Sequence, residues 1–144
     1  MKKLIAVGVL IFAGNLAVAG GPLVRPVEVD CRTLLANSIG QTLYGFDPDL
    51  GADQPKCNGT CAEVWPPFLI NSEEASHLAS PLSSVVRESG RIQLTYQGRP
   101  VYLFSLDRAS GEKKGDGLGG VWHVIDAQEL KAVESLQASP SELR

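Results

Sequence analysis

In two short segments of the chain, each opened by a glycine turn, aromatic residues alternate with aliphatic or glycine positions at a period of two, the spacing of a strand. In Thr42-Leu43-Tyr44-Gly45-Phe46, Leu43 and Gly45 fall on one face of an extended segment and Tyr44 and Phe46 on the other. Val101-Tyr102-Leu103-Phe104 repeats the arrangement. A strand precedes each: Thr33 to Asn37 before the turn Asn37-Ser38-Ile39-Gly40, and Arg91 to Tyr96 before Gln97-Gly98, so the pattern predicts two hairpins. Another strand is expected from Val121 to Ile125, and its counterpart after Trp65 should be irregular because Pro66 and Pro67 cannot donate to a ladder. Helical spacing is scarce. Ser72 to Leu78 suits a short helix capped by Asn71 with Glu73 and Glu74 in its first turn. Ala127 to Leu136 suits another, with Asp126 as its cap and Leu130, Val133 and Leu136 on one face. The tail after Ser139 is expected to be loose.

The two aromatic strands are copies. Gly40 to Asp49 lies over Gly98 to Asp107 at an offset of 58, matching the glycine, both aromatics and the last aspartate, and Val64-Trp65 lies over Val121-Trp122 at an offset of 57. The fold expected is mainly β, a small single domain of two pseudo-repeated β-hairpin units with one or two short helices. Neither unit buries its aromatic face alone. The organisation read from the chain is a signal peptide over 1–19, an N-terminal linker over 20–31, the duplicated domain over 32–126 with copies at about 32–70 and 90–126, and a C-terminal helix and tail over 127–144.

The leader changes the picture of compartment. Met1-Lys2-Lys3, a nearly uncharged run from Leu4 to Val18, and Ala17 and Ala19 in the A-x-A positions predict export and cleavage before Gly20. The apolar run is shorter than the ~20 residues of a spanning helix, so a periplasmic or secreted protein with no membrane span after cleavage is expected. The formal net charge is −3, and loss of Lys2 and Lys3 takes it to −5. A mildly acidic chain without a basic cluster lacks the footprint of a nucleic-acid binder.

The run from Thr42 to Asp49, then Cys57-Asn58-Gly59-Thr60-Cys61-Ala62-Glu63-Val64-Trp65-Pro66-Pro67, Tyr96 to Phe104, and Gly120-Val121-Trp122-His123-Val124 resembles the bacterial secreted repeat family of predicted lipoproteins with the Y-x-(F/W/Y)-x-x-D motif. The resemblance covers roughly residues 33 to 126. It implies an exported, duplicated fold and no assigned reaction. The chain departs from the family in lacking a cysteine directly after the cleavage site, where a lipid anchor would attach.

Outside the cytoplasm, Cys57 and Cys61 are expected to form a disulfide, with Asn58 and Gly59 supplying the bend, and Cys31 is left as a free thiol or the link of a covalent homodimer. The competing use of Cys57 and Cys61 is a copper, zinc or haem site or a redox pair with His123; His77 is the remaining histidine, and no methionine follows Met1. No cofactor is expected on the favoured reading. Asp47, Asp49 and Asp53 around Gly51 lack the closing glutamate of a calcium loop and read as turn caps. Asp49 and Asp107, equivalent in the repeat, have a hydrolytic reading as paired carboxylates and a structural one as acceptors. The tyrosine hydroxyls are among the donors they could serve. Gly111 to Gly120 precedes a strand instead of opening a helix, so it reads as a mobile loop at a rim and not as a phosphate cradle. Tyr44, Phe46, Trp65, Tyr102, Phe104 and Trp122 make six of nine aromatics, which favours a core over an exposed platform. The function expected is a non-catalytic envelope module that binds another protein or a small ligand.

Overall fold

Each half opens with an antiparallel hairpin. In the computed structural model, which describes residues 21–128 and 130, β1 (Val24–Val29) pairs along its length with β2 (Arg32–Asn37). Asp30 and Cys31 close that hairpin with φ of 49° and 61°, the left-handed backbone a two-residue connection needs to follow strand twist. Within the stretch expected to be a linker, 20–31, Val24–Val29 are instead a strand: Val24 is buried in the aliphatic part of the core and Val29 packs against the aromatic part. Arg25-Pro26 breaks the alternation that marks a strand, and proline is accepted because β1 is an edge.

After β3 (Tyr44–Phe46), a 3₁₀ turn at Asp47–Asp49 and α1 (Thr60–Val64), the chain forms β4 (Leu69–Ile70) and α2 (Ser72–Ser76). Asn71 and Glu74 make a reciprocal capping box at the start of α2. The second half then begins with β5 (Leu82–Val86), which pairs with β6 (Ile92–Tyr96) and stands upstream of where the second copy was expected to start. β4 and β7 (Arg99–Pro100) also pair with β6.

The expected hairpins exist only at their turns. Asn37 N donates to Gln41 O (2.9 Å) and Leu43 N to Leu35 O (2.9 Å), while Asn37 Oδ1 accepts from the backbone of Ile39 and Gln41. Beyond that point the strand leaves its own half. β3 pairs with β8 (Trp122–Val124), and Tyr44 and Tyr102 exchange backbone hydrogen bonds of 2.9 and 3.0 Å. The segment after Trp65 makes only an isolated bridge, Pro67 to Tyr102, as its two prolines dictate.

The backbone bonds recur around the Tyr44–Tyr102 bridge as around a twofold axis. Asp47 N to Val121 O (2.9 Å) matches Ser105 N to Val64 O (2.9 Å), and Leu35 N to Ile125 O (2.9 Å) matches Leu94 N to Phe68 O (2.9 Å). Two core layers result: an aliphatic one around Leu35, Leu43, Leu94 and Val101, and an aromatic one around Tyr44, Trp65, Tyr102 and Trp122. Asp126 Oδ1 accepts from Gln128 N (2.9 Å) as a helix cap would. Most of the helix expected from Ala127, and the expected tail and signal peptide, lie outside the described residues.

Candidate functional site

The repeated motif converges at the pseudo-twofold axis. β3 carries Tyr44 and Phe46 inward, and the short turn that follows brings Asp49 back under the sheet; Tyr102, Phe104 and Asp107 do the same in the second half. The hydroxyls find their acceptors across the axis. Tyr44 Oη donates to Asp107 Oδ2 (2.5 Å) and Tyr102 Oη to Asp49 Oδ2 (2.7 Å). The second carboxylate oxygens are used alike, Asp49 Oδ1 accepting from Lys56 N (2.7 Å) and Asp107 Oδ1 from Lys114 N (3.0 Å). Both tyrosines are 0% exposed, and Asp49 and Asp107 are 7% and 6% exposed. Burial, followed by the bond to Asp107, pushes the Tyr44 hydroxyl far above the ordinary tyrosine range. Burial and then Asp49 do the same to Tyr102. The hydroxyls thus stay protonated and serve as donors.

Between these pairs the rings form one column. Phe46 stacks on Trp122 (4.2 Å between centroids, 18°), Trp122 on Trp65 (3.8 Å, 2°), and Trp65 on Phe104 (4.3 Å, 29°). Tyr44 meets Trp65 edge-on at 5.3 Å, and Tyr102 meets Trp122 edge-on at 5.2 Å, the offset geometry that ring quadrupoles favour. The aromatic set is a core. Gly115 lies against it so closely that a Cβ would stand 2.5 Å from Trp65 Cη2. The segment Gly111 to Gly120 is thus no free rim: it carries the Lys114 bond to Asp107 and tucks beneath the tryptophans.

Residues 83–126 match the model of a family described as a secreted repeat of unknown function. The matched segment runs from within β5 through β8, so it takes in the whole motif of the second half, Tyr102, Phe104, Asp107 and Trp122. No curated protein and no solved structure matches the chain. Among the described residues, no helix is long and apolar enough to cross a membrane.

The first half, outside the matched segment, holds the disulfide. Cys57 and Cys61 are joined, with Cα atoms 5.2 Å apart, and Gly59, with φ of 55°, supplies the bend. Buried Arg87, from the end of β5, clamps this loop. Its Nη2 donates to Cys57 O (2.7 Å) and Asn58 Oδ1 (2.6 Å), and its Nη1 to Gln93 Oε1 (2.5 Å). Nothing in the sequence around Arg87 marks this arginine as buried.

His123 goes elsewhere. Its Nε2 lies 2.9 Å from Asp47 Oδ2, and Asp47 Oδ1 lies 3.5 Å from Arg99 Nη2, forming a partly exposed row across β8, the Asp47 turn and β7. Gly45 lets the Arg99 guanidinium lie over the strand, 2.9 Å from where a Cβ would stand. Cys57 and Cys61 are bonded to one another, and no group of three or more His, Cys, Asp or Glu is placed to hold a metal ion among the described residues. Asp47 and Asp49 point to different partners, which divides the acidic cluster read around Gly51. Cys31 is a free, exposed thiol at the β1–β2 turn.

Proposed function

We propose that the chain is a non-catalytic binding module of the cell envelope, exported to the periplasm or beyond it, whose repeated motif builds a frame and whose surface takes a protein partner or small ligand. One observation carries the reading: each oxygen of Asp49 and Asp107 already accepts a hydrogen bond from a buried tyrosine or a backbone N–H. A general acid, base or nucleophile needs an oxygen within reach of substrate. These carboxylates face inward. The family description as secreted supports the location.

The test is a thermal-shift screen of the purified protein against small metabolites, with each mixture weighed by mass spectrometry afterwards. The expected result is a compound that raises Tm and is recovered unchanged. Turnover of a compound, abolished by Asp49→Asn or Asp107→Asn without loss of Tm, overturns the reading.

A further inference from the structure

The pseudo-twofold axis generates the same corner twice, and only one copy is closed. Arg32 and Arg91 are equivalent, each ending a hairpin ladder: Arg32 is paired with Val29, and Arg91 O accepts from Arg87 N (2.9 Å). Asp116 and Asn58 are equivalent too. Each lies two residues after the lysine whose N–H bonds the motif aspartate and just before a glycine with positive φ, 80° at Gly117 and 55° at Gly59. In the closed corner Asp116 Oδ2 lies 3.6 Å from Arg32 Nη1, and Asp116 Oδ1 accepts from Val124 N (3.1 Å).

In the other corner both attachments are missing. Asn58 carries no charge and turns its Oδ1 to Arg87 Nη2. Pro67, equivalent to Val124, has no N–H to offer. Exposed Arg91 has no carboxylate within ion-pair distance among the described residues. A cavity of about 490 Å³ opens here, lined by Asn58, Pro66, Pro67, Leu69, Arg87 and Arg91 among others, and none of its lining residues is acidic. In a chain of net charge −3, two arginines facing one acid-free groove make a local positive field.

We infer that this groove binds a carboxylate carried on a small apolar body, the ligand's carboxylate meeting Arg91 as Asp116 meets Arg32. Arginine presents a planar fork that suits a carboxylate. The prolines and Leu69 supply apolar surface for the remainder of the ligand, the usual composition of a small-molecule site. The inference rests on the binding-module reading and names its ligand class.

N-acetylleucine titrated into the ¹⁵N-labelled protein is the test, with N-acetylleucinamide as the uncharged counterpart. The acid is expected to shift the amides of Asn58, Gly59, Ser89 and Arg91, and the amide compound to leave them in place. Arg91→Ala weakens binding roughly tenfold, the scale of one charge-assisted contact. Asn58→Asp supplies from within the carboxylate that Asp116 supplies in the closed corner, and it abolishes binding while the spectrum stays that of the folded protein. Tighter binding of an acetylated dipeptide acid points to a peptide C-terminus, and equal binding to a free small acid; both support carboxylate recognition. Equal shifts from the amide compound, undiminished binding by the Asn58→Asp variant, or no shift at the groove with either compound overturns the inference. A ligand found elsewhere by the thermal-shift screen would still leave the binding-module reading standing, whereas turnover removes that reading.

Discussion

Tyr102 and Asp49 lie 53 positions apart, and the bond between them is buried. Tyr102→Phe leaves a buried carboxylate oxygen short of its donor, at a cost of about 1–3 kcal/mol in unfolding free energy. A double-mutant cycle in urea tests the crossing. Tyr102→Phe and Asp49→Asn should couple by about 0.5–3 kcal/mol, and Tyr102→Phe and Asp107→Asn should come closer to additive. The same hydroxyls govern alkaline stability. Their folded pKa values are raised above the unfolded tyrosine value of about 10, so their contribution is complete below that pH and is lost as pH rises from there toward the folded pKa. Each tyrosine should lower stability by about 1.4 kcal/mol per pH unit in that window. Urea midpoints between pH 9 and 11 should fall less steeply for Tyr102→Phe than for the unaltered chain. Gly115→Ala presses a methyl into Trp65 and should cost about 1–3 kcal/mol, read as a lower Tm.

Among the elements, the Cys57–Cys61 loop joins α1 to the aromatic column. Replacing both cysteines with serine removes a very short closed loop and should cost about 2 kcal/mol in the chain-entropy description, measured by denaturant unfolding. Arg87 still holds the Cys57 carbonyl and Asn58 in that variant, so the column should keep its near-ultraviolet circular dichroism. Much at this scale was legible from the chain: the alternation in Thr42–Phe46 marked β3, the two prolines marked the stretch after Trp65 as irregular, and Asn71 caps α2. What escaped has physical causes. β1 and β5 carry weak alternation because Arg25-Pro26 and Ser83-Ser84 interrupt it, and their pairing partners, not their propensities, make them strands. Equal spacing in the two copies named Tyr and Asp as partners but could not say which tyrosine meets which aspartate. That depends on the Tyr44–Tyr102 bridge, a tertiary contact.

Across the whole molecule, the rings of the column alternate between halves: Phe46 from the first, Trp122 from the second, Trp65 from the first, Phe104 from the second. Neither half can assemble that core alone. A fragment of residues 82–126 should be unfolded by circular dichroism, and mixing it with residues 21–70 should restore a folded tryptophan fluorescence spectrum. A chain bearing a single copy would hold every motif residue except the opposing set, and two such chains about a true twofold axis could remake the crossed bonds. Two identical chains, however, necessarily present two identical corners. Joining the copies in one polypeptide lifts that constraint, so that Asp116 can shut one corner while Asn58 leaves its twin open; the duplication lets a symmetric frame acquire a single, one-sided mouth.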